Sequence, residues 1–490
     1  MVDLMFQERV RIILNRVLFT ISGLCTDPTR SVRARFDKGP EDMTRHIRSL
    51  IVVLLVGTIG TLGAATGWAQ GLPTSAPSDV GLSQKRLGRL AEVVQGYVDA
   101  DAIAGAVTLI ARKGGQAHVQ AYGMEDRTTG TPMRPETIFR IASMTKPITS
   151  VAVMMLYEEG RFKLNDPVGQ YLPELDSLDV LTPSDDDAES FQRVPAQRPV
   201  TIRHLLTHTS GIGYRFFGDM GGSTKQLALS ELYRDAGVAD GLSEHAGTIE
   251  GLVTKLGQLP LLHEPGDAFT YGLSDDVLGR LVEVLSGTTF DEFLRTRVFE
   301  PLGMTDTFFY IPTAKADRLA SLYTPNLAGG LDEVEATVEG AHLIYSPTYS
   351  AGETRTYFSG GAGLSSTVYD YARFLQMVLN GGTLEGVRLL SPMTVDLMTV
   401  NHIGGAPAST VAAPGSAGFG LGFAIRGGPS TDGEIGSEGA YYWSGFFSTT
   451  FWVDPKEELI GILMTQIFPG TSDIQEKFRI MAYQAIVERE

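Results

Sequence analysis

Segments with the pattern of β-strands stand near the start of the folded region and at its end. Gly105 to Ala111 and Gln116 to Tyr122 read as two strands of a hairpin closed by Arg-Lys-Gly-Gly. Three more, Gly420 to Arg426, Ser448 to Val453 and Leu459 to Phe468, precede the C-terminus. Two early and three late strands imply one antiparallel sheet built from both ends of the chain, with residues of about 130 to 400 inserted as a largely helical lobe. Helices are expected to flank the sheet. Ser83 to Ala100 places Leu87, Leu90, Val93, Val94 and Val98 at helical spacing, and Ile474 to Val487 closes the chain in the same way. The expected fold class is therefore α/β (α+β), with about five antiparallel strands. Four stretches of the middle read as loops that could shape a cleft: Asp176 to Glu189, Gly218 to Gly222, Asn326 to Thr356 and Gly404 to Gly418.

Composition narrows the partners. With 40 Lys+Arg against 57 Asp+Glu, the 490-residue chain carries a formal charge of −17, which disfavours nucleic acid, because phosphate binding relies on Lys and Arg displacing counterions. A single cysteine, Cys25, excludes an intrachain disulfide framework and any cysteine-rich metal site.

The N-terminal region reads as an export device. Arg45, His46 and Arg48 precede an uncharged run from Ser49 to Trp68, followed by Ala69, the layout of a secretory signal with cleavage after Ala69. Four glycines in the run and its small-residue end favour cleavage over an uncleaved anchor formed by residues 49–68, the one arrangement in which a membrane would be a partner. Met43 stands just before this signal, so residues 1–42 are read as a mis-assigned start, 43–69 as the signal, 70–81 as a linker and 82–490 as the functional domain. The expected location is periplasmic or extracellular.

The segment Phe139 to Gly160 carries the chemistry. Ser143 reads as the N-cap of a helix running from Met144 to Glu159, which puts Lys146 one turn on, on the same face. A serine hydroxyl is a poor nucleophile until a neighbouring base takes its proton, and Lys146 is the neighbour the spacing supplies. A bare Ser-x-x-Lys is mostly a cap followed by a surface lysine, so the motif needs context.

Context comes from segments standing in order after it: Thr201 to Gly211 (Thr-Ile-Arg-His-Leu-Leu-Thr-His-Thr-Ser-Gly), His263 to Tyr271 with Asp276-Val-Leu-Gly, Pro301 to Thr307, Trp443-Ser-Gly445, and Phe451 to Pro455. Together they resemble the serine β-lactamase and penicillin-binding-protein superfamily, in its class C-like branch with the family VIII carboxylesterases, from about Leu82 to the C-terminus. The resemblance implies the β-lactamase/DD-peptidase-like fold and an acyl-enzyme mechanism with no metal and no cofactor. It implies Ser143 as nucleophile, Lys146 as its partner and Tyr271 as a proton carrier. Backbone N–H groups of Ser143 and Phe446 would form the oxyanion hole.

Two departures shape the substrate expected. Leu273 stands where lactamases carry an asparagine, and Trp443 where they carry the lysine of Lys-Thr-Gly. A substrate-binding rim of Leu273, Trp443, Ser444, Gly445, Phe446 and Phe447 suits an uncharged ester better than an anionic lactam. The preferred reading is an exported serine hydrolase, a carboxylesterase on small esters. A β-lactamase, D-Ala-D-Ala peptidase, lactonase or acyltransferase, and outside enzymes an envelope receptor, are the alternatives, and the oligomeric state stays open.

Other candidates weigh less. His204 and His208 are four apart but lack the glutamate of a zincin and read as structural hydrogen-bonding residues, with His263 as a turn residue. No Gly-x-Ser-x-Gly occurs, so the nucleophile elbow of an α/β-hydrolase is missing. Gly418 to Gly422 reads as a packing strand rather than a nucleotide loop, and Ser274 and Asp276 read as helix caps.

Overall fold

The computed structural model describes residues 71–184, 190–352, 355–405, 416–429, 433–470 and 472–489. The export signal, the proposed start at Met43 and Cys25 lie outside the described residues, as do parts of three stretches read as loops.

Numbering only the strands of the main sheet and the helices that position the site, the elements are α1 (Gln84–Asp99), β1 (Gly105–Arg112), β2 (Gly115–Asp126), β3 (Thr131–Pro132), α2 (Thr145–Glu158), α3 (Ser274–Ser286) and α4 (Val368–Leu379). Then follow β4 (Ser416–Phe419), β5 (Ala424–Arg426), β6 (Tyr441–Ser444), β7 (Thr450–Asp454), β8 (Leu459–Met464) and α5 (Ile474–Gln484). The sheet has eight strands in the order β4-β5-β6-β7-β8-β1-β2-β3. Its seam is the antiparallel pair β1 and β8, registered Val107 to Met464 through Arg112 to Leu459, which joins the two ends of the folded region. The β1–β2 hairpin turns through Lys113 (φ 53°) and Gly114 (φ 77°), the positive-φ pair that a two-residue turn of matching twist requires.

The sheet is covered on both faces, which is why β1 and β8 are buried at every residue. Successive residues of β7 show the two layers. Phe451 meets Tyr371 of α4 at 5.2 Å between ring centroids, and Trp452 meets Phe478 of α5 at 5.3 Å. Helix α1 begins at Ser83, whose hydroxyl accepts the Arg86 N–H, and buries Leu87, Leu90 and Val94 while packing beside α5.

The sheet exceeds the expectation of about five strands. Of the Gly420 to Arg426 run, only Ala424–Arg426 is a strand, β5, and the residues before it form the chain reversal from β4; β4 and β6 are further strands, and β3 spans two residues. Tyr441, Tyr442 and Trp443 are all buried, so β6 has no polar-apolar alternation to reveal it. The inserted lobe carries small two-stranded pairs as well as helices, among them Asp179–Pro183 with Phe191–Pro195 and Val338–Glu339 with Ile344–Tyr345. Asp179–Pro183 falls within the segment read as a loop at Asp176 to Glu189, and both strands of the second pair fall within Asn326 to Thr356. The stretch read as a linker is docked: Ser75 donates its N–H to Gln116 O of β2, and Pro77–Val80 forms a 3₁₀ turn.

Asp370 of α4 gives a test of burial. Its carboxylate accepts the Asp306 N–H (2.6 Å) and the Thr307 hydroxyl (2.9 Å), yet desolvation pushes its pKa up to about 7. A carboxyl held above its unfolded value binds its proton more tightly when folded, so its contribution to stability falls as pH rises from about 4 to about 7. Asp370→Asn is therefore expected to gain stability relative to the parent as pH rises across that window, by a few kcal/mol at most, roughly 1.4 per pKa unit. Chemical denaturation of both proteins at pH 4.5 and pH 8 checks the sign.

Candidate active site

Helix α2 is preceded by a 3₁₀ turn, Ala142–Met144, and Ser143 stands on that turn rather than acting as a cap. Met144 is the N-cap residue and makes no side-chain cap bond, which leaves the Ser143 hydroxyl for other work. Ala142 holds φ at 41°, a left-handed conformation unusual for a residue with a Cβ. The turn lies against the end of β6 because position 445 is glycine. A Cβ there would collide with the Ile141 carbonyl and the Thr449 hydroxyl.

Lys146, on the first turn of α2, is fully buried. Its Nζ lies 3.3 Å from Ser143 Oγ, 2.8 Å from the Tyr214 hydroxyl and 2.7 Å from the Gly361 carbonyl, to which it donates. It also stands 4.5 Å from the centroid of the Tyr271 ring. Tyr214 is buried, and that burial, with the charge of Tyr271 next, holds its phenol well above the ordinary value, so it stays protonated beside the amine. The Tyr214 and Gly361 contacts hold Lys146 Nζ within reach of the Ser143 hydroxyl.

Tyr271 stands three residues before the start of α3, and the packing of α3 on α2 brings it to Lys146. Its hydroxyl accepts the Trp443 indole N–H at 3.2 Å. Its ring rests 4.9 Å from that of His208, and His208 Nε2 lies 3.1 Å from Asp275 Oδ2. Burial drives the His208 pKa down, against the Asp275 carboxylate that raises it. His204 Nδ1 instead accepts the Thr201 N–H in a capping box, and His263 Nε2 pairs with Thr270 Oγ1 at 2.6 Å, so the three rings have separate partners. Ser274 and Asp276 are not caps. Ser274 Oγ meets Ser210 Oγ at 2.9 Å, and Asp276 accepts the Ser359 hydroxyl at 2.6 Å on the loop that carries Gly361. Burial, first among the causes, raises the Asp276 pKa to about 7.

Above these groups opens a cleft of about 1040 Å³, part of it continuous with solvent. Ser143, Tyr214, Tyr271, Trp443, Ser444, Gly445 and Phe446 all line it. Phe446 stacks on Phe468 with centroids 3.9 Å apart and faces Phe216 at 5.9 Å, giving an aromatic wall. Two expected rim residues are elsewhere. Leu273 is fully buried where its N–H bonds Gly213 O, and Phe447 is fully buried behind Phe446, edge to face with it at 5.3 Å and stacked on Tyr349 at 6.1 Å. Neither lines the cleft. Sequence reading missed Tyr214, Phe216, Asp240 and Phe468. For the first two the available signal was the aromatic run Tyr214-Arg-Phe-Phe217 just after Ser210-Gly211.

The Beta-lactamase family model matches residues 90–485. The chain belongs to the Beta-lactamase family. It is 32% identical over 370 residues to "Esterase EstB" of Burkholderia gladioli, covering 74% of this chain and 86% of that protein. It is 35% identical over 382 residues to "Protein Rv1367c" of Mycobacterium tuberculosis, covering 76% and 88%. Among solved structures it resembles "EstCE1, a hydrolase with promiscuous acyltransferase activity", at a TM-score of 0.67 and 27% identity over 83% of this chain and 99% of that one. This member of the Beta-lactamase family is thus a serine hydrolase with the β-lactamase/penicillin-binding-protein-like fold, from a family with esterase and acyltransferase relatives.

Proposed function

We propose that the protein is a carboxylesterase that acylates Ser143 with small, uncharged carboxylic esters and releases the acyl group to water. The observation that carries this reading is Ser143, Lys146, Tyr214 and Tyr271 gathered at the floor of an aromatic cleft. Lys146 takes the Ser143 proton as Oγ bonds to the ester carbonyl carbon, and the carbonyl oxygen becomes an alkoxide held by the Ser143 and Phe446 N–H groups. The C–O bond to the leaving alcohol then breaks, and that alcohol takes a proton through the Tyr271 hydroxyl. Water, deprotonated by the same groups, attacks the acyl carbon and restores Ser143 with release of the acid.

The walls favour an ester over a lactam. Trp443 places a neutral indole, occupied by Tyr271, where a cation would hold a carboxylate. Leu273, turned into the core, offers no amide to a substrate. The kcat/KM for a short-chain 4-nitrophenyl ester is expected to exceed that for a chromogenic cephalosporin by at least about 100-fold, the discrimination that unmet polar contacts support. Comparable values for the two would make lactam hydrolysis the better reading. Export with cleavage after Ala69 belongs to the same proposal, and intact mass of the secreted protein, expected to begin at Gln70, checks it.

A further inference from the structure

Among the described residues lining the cleft, Asp240 is the one charged side chain, and it is 4% exposed. Burying a carboxylate in an aromatic wall is unfavourable unless its oxygens are occupied. Oδ1 accepts the Arg215 N–H at 3.0 Å, and the Phe216 N–H faces the same carboxyl group. Oδ2 has no hydrogen-bond partner among the described residues. Arg215 Nε comes within 3.8 Å of it but spends its proton on the His342 carbonyl at 2.7 Å. The carboxyl is held on the stretch that also carries Tyr214, whose hydroxyl touches Lys146, and Phe216, which faces Phe446. Asp240 therefore belongs to one wall of the cleft that leads to Ser143.

We propose that Asp240 is a specificity-determining residue whose free oxygen accepts a hydrogen bond from a hydroxyl group on the ester substrate. The assignment rests on the esterase reading and adds the substrate class: a hydroxylated ester with an otherwise apolar body. A hydroxyl fits better than a cation because burial, first among the causes, raises the Asp240 pKa to about 7 against the Arg215 guanidinium 3.8 Å away, so the group offers hydrogen bonding rather than a full negative charge. A site built to hydrogen-bond a hydroxyl rejects the analogue that lacks it, since the buried acceptor is then left unmatched.

The test compares kcat/KM within matched pairs. On the acyl side the pair is 4-nitrophenyl 3-hydroxybutyrate and 4-nitrophenyl 3-methylbutyrate; on the alcohol side it is 2-hydroxyethyl butyrate and propyl butyrate, with butyrylcholine as the cationic probe. The parent enzyme is expected to prefer the hydroxylated member of one pair by about tenfold or more. Asp240→Asn, which keeps an oxygen for the Arg215 N–H, is expected to shrink that ratio, and Asp240→Leu to bring it to about one. The ratio is the readout, so a general loss of rate in a variant does not bear on it. Equal use of both members of both pairs, an unchanged ratio in Asp240→Leu, or preference for butyrylcholine would overturn the proposal. If no ester is turned over, the esterase reading fails by itself. The subsite is then measured by calorimetric affinity for the same pairs, with and without Asp240→Leu, and equal affinities would overturn it.

Discussion

Ser143→Ala is expected to lower kcat/KM for a small ester by about 10⁴-fold or more while the protein still folds. The size follows from the role: without Oγ no acyl-enzyme forms, and residual rate comes only from binding and the oxyanion donors. That the fold should survive follows from the site. The Ser143 side chain contributes no cap to α2, and among the described residues its hydrogen bond is the 3.3 Å one from Lys146. Losing so little is expected to move Tm by no more than a few degrees. Steady-state kinetics beside a thermal melt checks both halves, and activity within tenfold of the parent would remove Ser143 from the mechanism.

Lys146→Met is expected to reduce kcat by about 10³-fold or more, with a smaller effect on stability. The amine is the group within reach of Ser143 Oγ on the helix side, and its other contacts fix it there. A methionine of similar length leaves the Gly361 carbonyl and the Tyr214 hydroxyl without that partner, which costs about 1–3 kcal/mol for each group left unsatisfied. Removing a polar head group from a fully buried position offsets part of that loss. The discriminating measurement is the rate of labelling by a fluorophosphonate, which reports the nucleophile without deacylation. A fall in labelling parallel to kcat assigns Lys146 to activation of Ser143. Labelling within tenfold of the parent would leave Tyr271 as the activating base.

The sheet was legible wherever a strand is buried on both faces or closed by a hairpin, as at β1, β2 and β8, because apolar runs and Gly-Gly turns are local signals. Strand β6 carries the Trp443-Ser-Gly segment yet has no alternation, so only the family resemblance drew attention to it. The pair Ser143 and Lys146 was legible because helical spacing fixes their proximity; the 3₁₀ turn beneath Ser143 was not, because Ser is an equally good cap. Leu273 and Phe447 show the limit of transferring positions from a motif. Sequence places their backbones next to Tyr271 and Phe446, but the turn into α3 and the turn between β6 and β7 send their side chains into the core. Tyr214 and Asp240 sit on segments with no motif of their own, and tertiary packing alone brings them to the cleft.

The most direct test of the central claim is to mix the enzyme with a slow-turnover aryl ester, quench in acid within one turnover, and locate the added acyl mass by peptide mapping. The account predicts one acyl group per chain, on Ser143, absent from the Ser143→Ala protein. Acyl mass on another residue, or turnover with no acyl adduct trapped under conditions where deacylation limits the rate, would contradict it.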